Sequence, residues 1–180
     1  YGFTFECNQR NNPNFPTKGI QASWTAETGN KTDLKSGKNN YKSLFSEFNQ
    51  KISVYTRVPF GSLLIQNHSA LLMNDSLYTN NLFRLGGFSS IRGFNEKSIY
   101  ARDYSYFTIE YRLQLGTYSY AYLFSDAGWF QEPSGDSFKT YTRESIGMGL
   151  FLHTKGGIVS IAYAIGNSYN NSFNPSKAQI

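Results

Sequence analysis

The sequence predicts an all-β chain whose strands line a transmembrane antiparallel β-barrel. Three observations predict this class. Aromatic residues make up 17% of the 180, with fourteen Tyr and fifteen Phe, yet the mean hydropathy is −0.46. Many aromatics on a hydrophilic average imply strands with one apolar and one wet face. Apolar and polar residues also alternate with period 2 over most of the chain, the pattern of a half-exposed strand. Finally, short and long connections alternate, as they do when a barrel wall crosses a membrane with short turns on one side and long loops on the other.

The elements follow in order. Residues 1–8 set Tyr1, Phe3, Phe5 and Cys7 against Gly2, Thr4, Glu6 and Asn8, and read as a strand. QRNNPNFPTKG at 9–19 is dense in Asn, Pro and Gly, so it is a turn. Residues 19–28 return as a strand with Ile20, Ala22, Trp24 and Ala26 on one face. The polar stretch 29–40 carries Lys31, Lys35 and Lys38 and is expected as an exposed loop. Residues 41–58 form one long strand, 59–61 a tight turn and 62–73 the next strand. An Asn-rich connection at 74–81 leads into LGGFSSIRGF at 85–94, a glycine-punctuated loop with one arginine. In 104–115 the alternation is clearest: Tyr104, Tyr106, Thr108, Glu110, Arg112 and Gln114 oppose Ser105, Phe107, Ile109, Tyr111, Leu113 and Leu115. A turn at 116–117, a strand at 118–129 and a polar loop at 131–142 follow. Residues 143–154 and 158–165 are strands joined by a turn at 155–157. Residues 166–175 are a loop, and 176–180 open a further strand. That makes about eight strands and the start of a ninth. Tyr100, Tyr104, Tyr118, Trp129, Phe130 and Tyr141 lie near strand ends and are expected as interfacial aromatic girdles.

Several function classes are excluded. Glu, Arg and Gln on the polar face of 104–115 fit a wet lumen and would be costly in a packed sandwich core. No run of eighteen apolar residues makes a transmembrane helix. The net charge of +5 is scattered, with no basic stripe for a phosphate backbone, so no nucleic-acid partner is expected. Cys7 is the single cysteine, which rules out an internal disulfide. His68 and His153 have no ligand-spaced partners and read as strand residues; neither a metal nor another cofactor is expected. Ser89 and Ser90 lack a base at a fixed offset, so no catalytic residues are assigned and the protein is not expected to be an enzyme. Asp33, Asp75, Asp103 and Asp136 are expected as solvated loop residues. The chain opens directly in strand-like sequence without a signal peptide, as expected of part of a longer protein.

The run 85–94, with Gly86, Gly87, Ile91, Arg92, Gly93 and Phe94, resembles the loop motif of the BamA/TamA superfamily of outer-membrane barrel assembly and translocation proteins. Four more stretches resemble that family in its order along the chain. They are NFPTKG at 14–19, TIEYRL at 108–113, LFSDAG at 123–128 with Phe124 and Gly128, and the hairpin formed by 145–152 and 157–164. The resemblance implies a roughly sixteen-stranded barrel. Residues 1–180 would form its C-terminal part in a single domain, without the first strands, any periplasmic POTRA domains and the end of the last strand. It further implies that Arg92 reaches into the lumen and pairs with Glu110 and Asp126. The residues agree: Glu110 lies on the polar face, Arg112 shares that face, and Asp126 follows in the neighbouring hairpin strand. The five donors of an arginine form a fixed fork suited to two carboxylates. The implied function is insertion of β-barrel proteins or translocation of polypeptides at the outer membrane. A two-partner-type secretion pore or TamA-like translocation component is the alternative; a passive porin-like channel is the reading from another class. The implied partners are the outer-membrane lipid bilayer, nascent β-barrel or secreted polypeptide clients, periplasmic chaperones and accessory lipoproteins. One departure stands out: the family's final strand ends in an aromatic residue, and this chain stops at Ile180.

Overall fold

The computed structural model describes residues 1–33, 41–74, 77–135, 137–168 and 178–179. Its strands are β1 (Gly2–Asn8), β2 (Gly19–Asp33), β3 (Tyr41–Val58), β4 (Gly61–Asn74), β5 (Phe83–Leu85), β6 (Ile99–Ala101), β7 (Asp103–Gly116), β8 (Ser119–Ser134), β9 (Ser137–Thr154) and β10 (Gly157–Ser168). Eight of them form one antiparallel sheet in the order β1-β2-β3-β4-β7-β8-β9-β10. Among the described residues β1 and β10 are not paired with each other, so the sheet is an open part-barrel. The segment between β4 and β7 holds a 3-10 turn at Thr79–Asn81 and the separate β5–β6 ladder, which lies over one face of the sheet. That covered face is the inner one.

The period-2 pattern sorts the side chains as the sequence implies. On the outer face Ile65, Phe107, Ile109, Leu123, Ile146, Met148 and Ile161 are all exposed. On the inner face Tyr55, Leu64, Tyr104, Tyr106, Tyr122, Phe124 and Phe130 are buried. A polar ladder interrupts the outer face. Trp24 Nε1 donates to Gln50 Oε1, Gln50 Nε2 to Asn67 Oδ1, and Asn67 Nδ2 to Ser105 Oγ, joining β2, β3, β4 and β7. Polar groups that leave water need such partners.

The sheet curls. The turn between β1 and β2 is set by asparagine: Asn12 Oδ1 accepts from the N–H groups of Asn14 and Phe15, and Asn11 Oδ1 from those of Thr17 and Lys18. It carries Phe15 onto Tyr118, Phe151 and His153, with centroids 4.8, 5.7 and 5.9 Å apart. In a flat sheet β2 and β9 would lie about 24 Å apart, five strand spacings. The ring contact requires the curvature of a barrel wall.

Several expectations are corrected. The polar loop expected over 131–142 is strand: β8 runs to Ser134 and β9 starts at Ser137. Its polar side chains pair with each other across the hairpin, Arg143 with Glu132 at 2.6 Å, so the ladder continues without an apolar face. Strand also extends to Asp33 and to Ser168, into stretches expected as loops. Residues 34–40, 75–76 and 136, most of 166–175 and of the strand expected at 176–180 lie outside the described residues. Tyr104 and Phe130 do not belong to a girdle. Both turn inward, stack 6.3 Å apart and join the core of Ala70, Leu85, Ile91, Ile99, Ala101 and Tyr106. Asp103 is not a solvated loop residue either: it is buried, accepts from the Leu72 N–H at 3.1 Å and pairs with Arg102 at 2.7 Å.

Candidate functional site

The site is the segment between β5 and β6 together with the wall it touches. Gly86 opens it with φ +107, and a Cβ there would collide with the Asn95 carbonyl. Only glycine allows this backbone and this approach at once. The Gly86 N–H donates to Ser90 Oγ at 2.7 Å and its carbonyl accepts from the Lys97 N–H, closing the loop on itself. Gly87 and Gly93 also have positive φ. Ile91 is fully buried against the inward rings of β7 and β8, which fixes the direction of the next residue.

Arg92 is 9% exposed and points at the wall. Its Nη1 lies 2.9 Å from Glu110 Oε2 on β7, and its Nη2 lies 2.8 Å from Asp126 Oδ1 on β8. Nε and the backbone N–H of Arg92 both donate to Asp126 Oδ2, at 2.9 and 3.1 Å. Register explains the convergence. Thr108 pairs with Asp126, and Asp126 with Ser145, so hydroxyls flank the carboxylate on both sides. Thr108 Oγ1 donates to Asp126 Oδ1 at 2.8 Å and Ser145 Oγ approaches Oδ2 at 3.5 Å. Glu110 also accepts from Arg112 Nε at 2.8 Å. Two arginines thus meet two carboxylates, and the cluster is neutral overall. Burial works against the Arg92 charge, but hydrogen bonds and attraction from Asp126, and then from Glu110, outweigh it and raise its pKa above the ordinary value.

Phe124, two residues from Asp126 on the same face, forms the floor. The Arg92 guanidinium carbon sits 3.4 Å from its ring centroid, a cation–π contact in a site screened from water. The ring lies over Gly147 of β9, where a Cβ would come within 2.5 Å of it. Gly128 does the same for the next level: opposite Tyr106, a Cβ there would come within 2.6 Å of the Tyr106 Cα. Phe94 packs on the loop's core and lies under Arg143, 5.5 Å from centroid to guanidinium carbon.

The structure therefore brings Ile91, Arg92, Phe94, Glu110, Phe124, Asp126 and Gly128 into one region, with Gly86, Gly87 and Gly93 shaping the loop that enters it. Sequence reading missed Thr108, Ser145, Gly147 and Arg143. Register was the signal: each is the cross-strand neighbour, or the next on the same face, of a residue in the motif. Among the described residues no three His, Cys, Asp or Glu side chains form a group able to hold a metal ion. His68 is engaged by Tyr106 OH and Asn49 Oδ1 at 3.1 and 3.2 Å.

A search of curated proteins found no match to the chain. A family model, the Omp85 superfamily domain, matches residues 1–176. That family is of the outer-membrane β-barrel type, which fits the antiparallel part-barrel with its apolar outer face. A match over nearly the whole chain, on a fold of the same kind, establishes that this chain belongs to the Omp85 superfamily.

Proposed function

We propose that the protein is an integral outer-membrane component that inserts β-barrel proteins or moves polypeptides across that membrane. The loop bearing Arg92 acts as an internal brace, and no covalent step is catalysed. The observation that carries this reading is the buried Arg92–Glu110–Asp126 network. It fixes a long segment across the inner face of the wall, and in this reading clients engage at the seam between the barrel's first and last strands. An open edge recruits an extended segment by strand addition, with main-chain hydrogen bonds supplying affinity. The exposed apolar outer face supports contact with the lipid bilayer. The clients are then nascent β-barrels or secreted polypeptides, with periplasmic chaperones and accessory lipoproteins as further partners. In this reading the eight strands are the C-terminal part of a roughly sixteen-stranded barrel. A passive porin-like channel is less well supported, because a channel gains nothing from an inner face covered by a locked loop.

The test is reconstitution of the purified protein in lipid vesicles with an unfolded barrel client. The client is expected to fold faster than in empty vesicles, and Arg92→Ala is expected to lower that gain together with the heat stability of the barrel. Equal client folding with and without the protein overturns the insertion reading. Transport of a polypeptide into the vesicle without insertion favours the two-partner-type or TamA-like alternative.

A further inference from the structure

The outer face of β7–β9 is not evenly covered. Along the outer side of β8 two small residues, Ser119 and Ala121, precede Leu123. Register places Ala121 between Leu113 of β7 and Leu150 of β9, and Leu123 between Tyr111 and Met148. Leu113, Leu123, Met148 and Leu150 are all exposed. A methyl group among these longer side chains leaves a trough of about 530 Å³, floored by Ala121. That volume falls in the roughly 300–1,000 Å³ range of small-molecule sites. Ser119 Oγ accepts from the His153 N–H at 3.1 Å, and Tyr111 OH donates to the Pro59 carbonyl at 3.0 Å, so both hydroxyls are already engaged. The strands that wall the trough, β7 and β9, each have a ladder neighbour on both sides. Their backbone groups are spent within the sheet, and the lining is left to apolar side chains.

The trough runs toward the short turns. Ser119 follows directly on the β7–β8 turn, and its bond to His153 sets that turn beside the β9–β10 turn, which holds Lys155. The connections at this end, 9–18, 59–60, 117–118 and 155–156, contain Arg10, Lys18 and Lys155 and no Asp or Glu, and Arg57 stands next to them on β3. Arg10 and Arg57 are engaged by neutral oxygens, Asn8 Oδ1 and Thr17 Oγ1. Lys155 is exposed and, among the described residues, forms no salt bridge. The rim is thus cationic without a built-in counter-charge, and basic residues beside a bilayer attract anionic headgroups. An acidic polypeptide would match the rim but not the trough, because strand addition needs free backbone groups that β7–β9 do not offer. A molecule with an apolar chain and an anionic head matches both.

We propose that the outer face of β7–β9 binds an anionic phospholipid, with an acyl chain in the trough over Ala121 and the phosphate at Lys155 on the rim of short turns. The site rests on the reading of the chain as membrane-embedded, and it is independent of what the protein does to its clients.

The experiment reconstitutes the protein in vesicles of equal parts phosphatidylglycerol and phosphatidylcholine with the same acyl chains. Flotation shows that it has entered the bilayer, and native mass spectrometry after gentle detergent release identifies the retained lipid. Wild type is compared with Ala121→Leu, which fills the trough, and Lys155→Glu, which reverses the charge at its end. Ala127→Leu serves as control: it lies on the same face of β8, but opposite Glu144 instead of a leucine. Wild type and the control are expected to retain phosphatidylglycerol several-fold over phosphatidylcholine. Ala121→Leu is expected to lose both lipids, and Lys155→Glu to keep lipid but lose the preference. Wild-type retention by Ala121→Leu overturns the trough, and equal retention of the two lipids by wild type overturns the headgroup site. Binding of polyglutamate that depends on Lys155, without lipid retention, assigns the rim to an acidic polypeptide and overturns the proposal. Failure to float with the vesicles overturns the membrane reading and the lipid site together. A floating protein whose trough variant behaves as wild type overturns the site alone.

Discussion

Asp126 has no exposed surface and collects five hydrogen bonds: three from Arg92 and one each from Thr108 and Ser145. Glu110 collects two, one from each of two arginines, and keeps slightly more exposure. A carboxylate held this way matters through what its loss leaves behind. Asp126→Asn removes the carboxylate that accepts three of the four Arg92 hydrogen bonds and leaves Arg92 to share Glu110 with Arg112; breaking a buried pair typically costs about 3–5 kcal/mol. Glu110→Gln leaves Arg92 still paired with Asp126. The barrel is therefore expected to lose more stability with Asp126→Asn than with Glu110→Gln, read from urea midpoints in the same detergent or lipid. An equal or reversed order would show that the five donors do not set the energetics. At this scale much was legible in the chain. Arg92, Glu110 and Asp126 stood out through a motif and through strand parity. Thr108 and Ser145 did not, because a hydroxyl on a strand acquires meaning only once its neighbour's register is known. Asp103 was misread because an acid next to Arg102 in a polar stretch looks solvated, while the fold buries it against the Leu72 amide.

Strands were recognisable wherever one face is apolar and lost wherever both are polar. The β8–β9 hairpin illustrates this. Its outer end, 131–142, has no alternation to read, yet ladder bonds and the Arg143–Glu132 pair carry it to a tight turn. The β1–β2 turn shows the converse: its sequence announced a turn but not where Phe15 would go. The asparagine caps set the turn, Arg57 Nε reaches Thr17 Oγ1 at 3.3 Å, and the Phe15 ring then lands on Tyr118 of the β7–β8 turn and on β9 across the mouth. The turn thus ties the two ends of the sheet together. Phe15→Ala removes the ring while leaving the caps intact. The expected cost is about 1–2 kcal/mol, below the ~3–5 kcal/mol of a fully buried phenylalanine because this ring is half-buried. Freed from Tyr118 and β9, the turn is also expected to become a new trypsin site at Lys18. Unchanged stability together with unchanged proteolysis would mean that the ring contact does not hold the turn.

For the molecule as a whole, two fillings occupy the inner face at different heights. Phe15 and its turn sit where the short β7–β8 and β9–β10 turns lie, against Tyr118 and His153. The Arg92 loop sits further along the same strands, at the row of Thr108, Asp126, Ser145 and Gly166. An aqueous path along this wall must pass both. Each is held by different physics, rings in one case and a neutral ion cluster in the other, so they should fail independently. Single-channel recording in a planar bilayer separates this arrangement from a passive channel. The wild-type protein is expected to conduct weakly. Replacing residues 86–98 by a short Gly-Ser linker is expected to raise the conductance several-fold, since Arg92, Ile91 and Phe94 leave the lumen together. Phe15→Ala should give a smaller rise, because it opens one mouth and leaves the loop in place. A wild type that conducts as well as the linker variant would mean that ions already bypass the loop, and the inner face would then serve as a conducting surface with the Arg92 network as its lining.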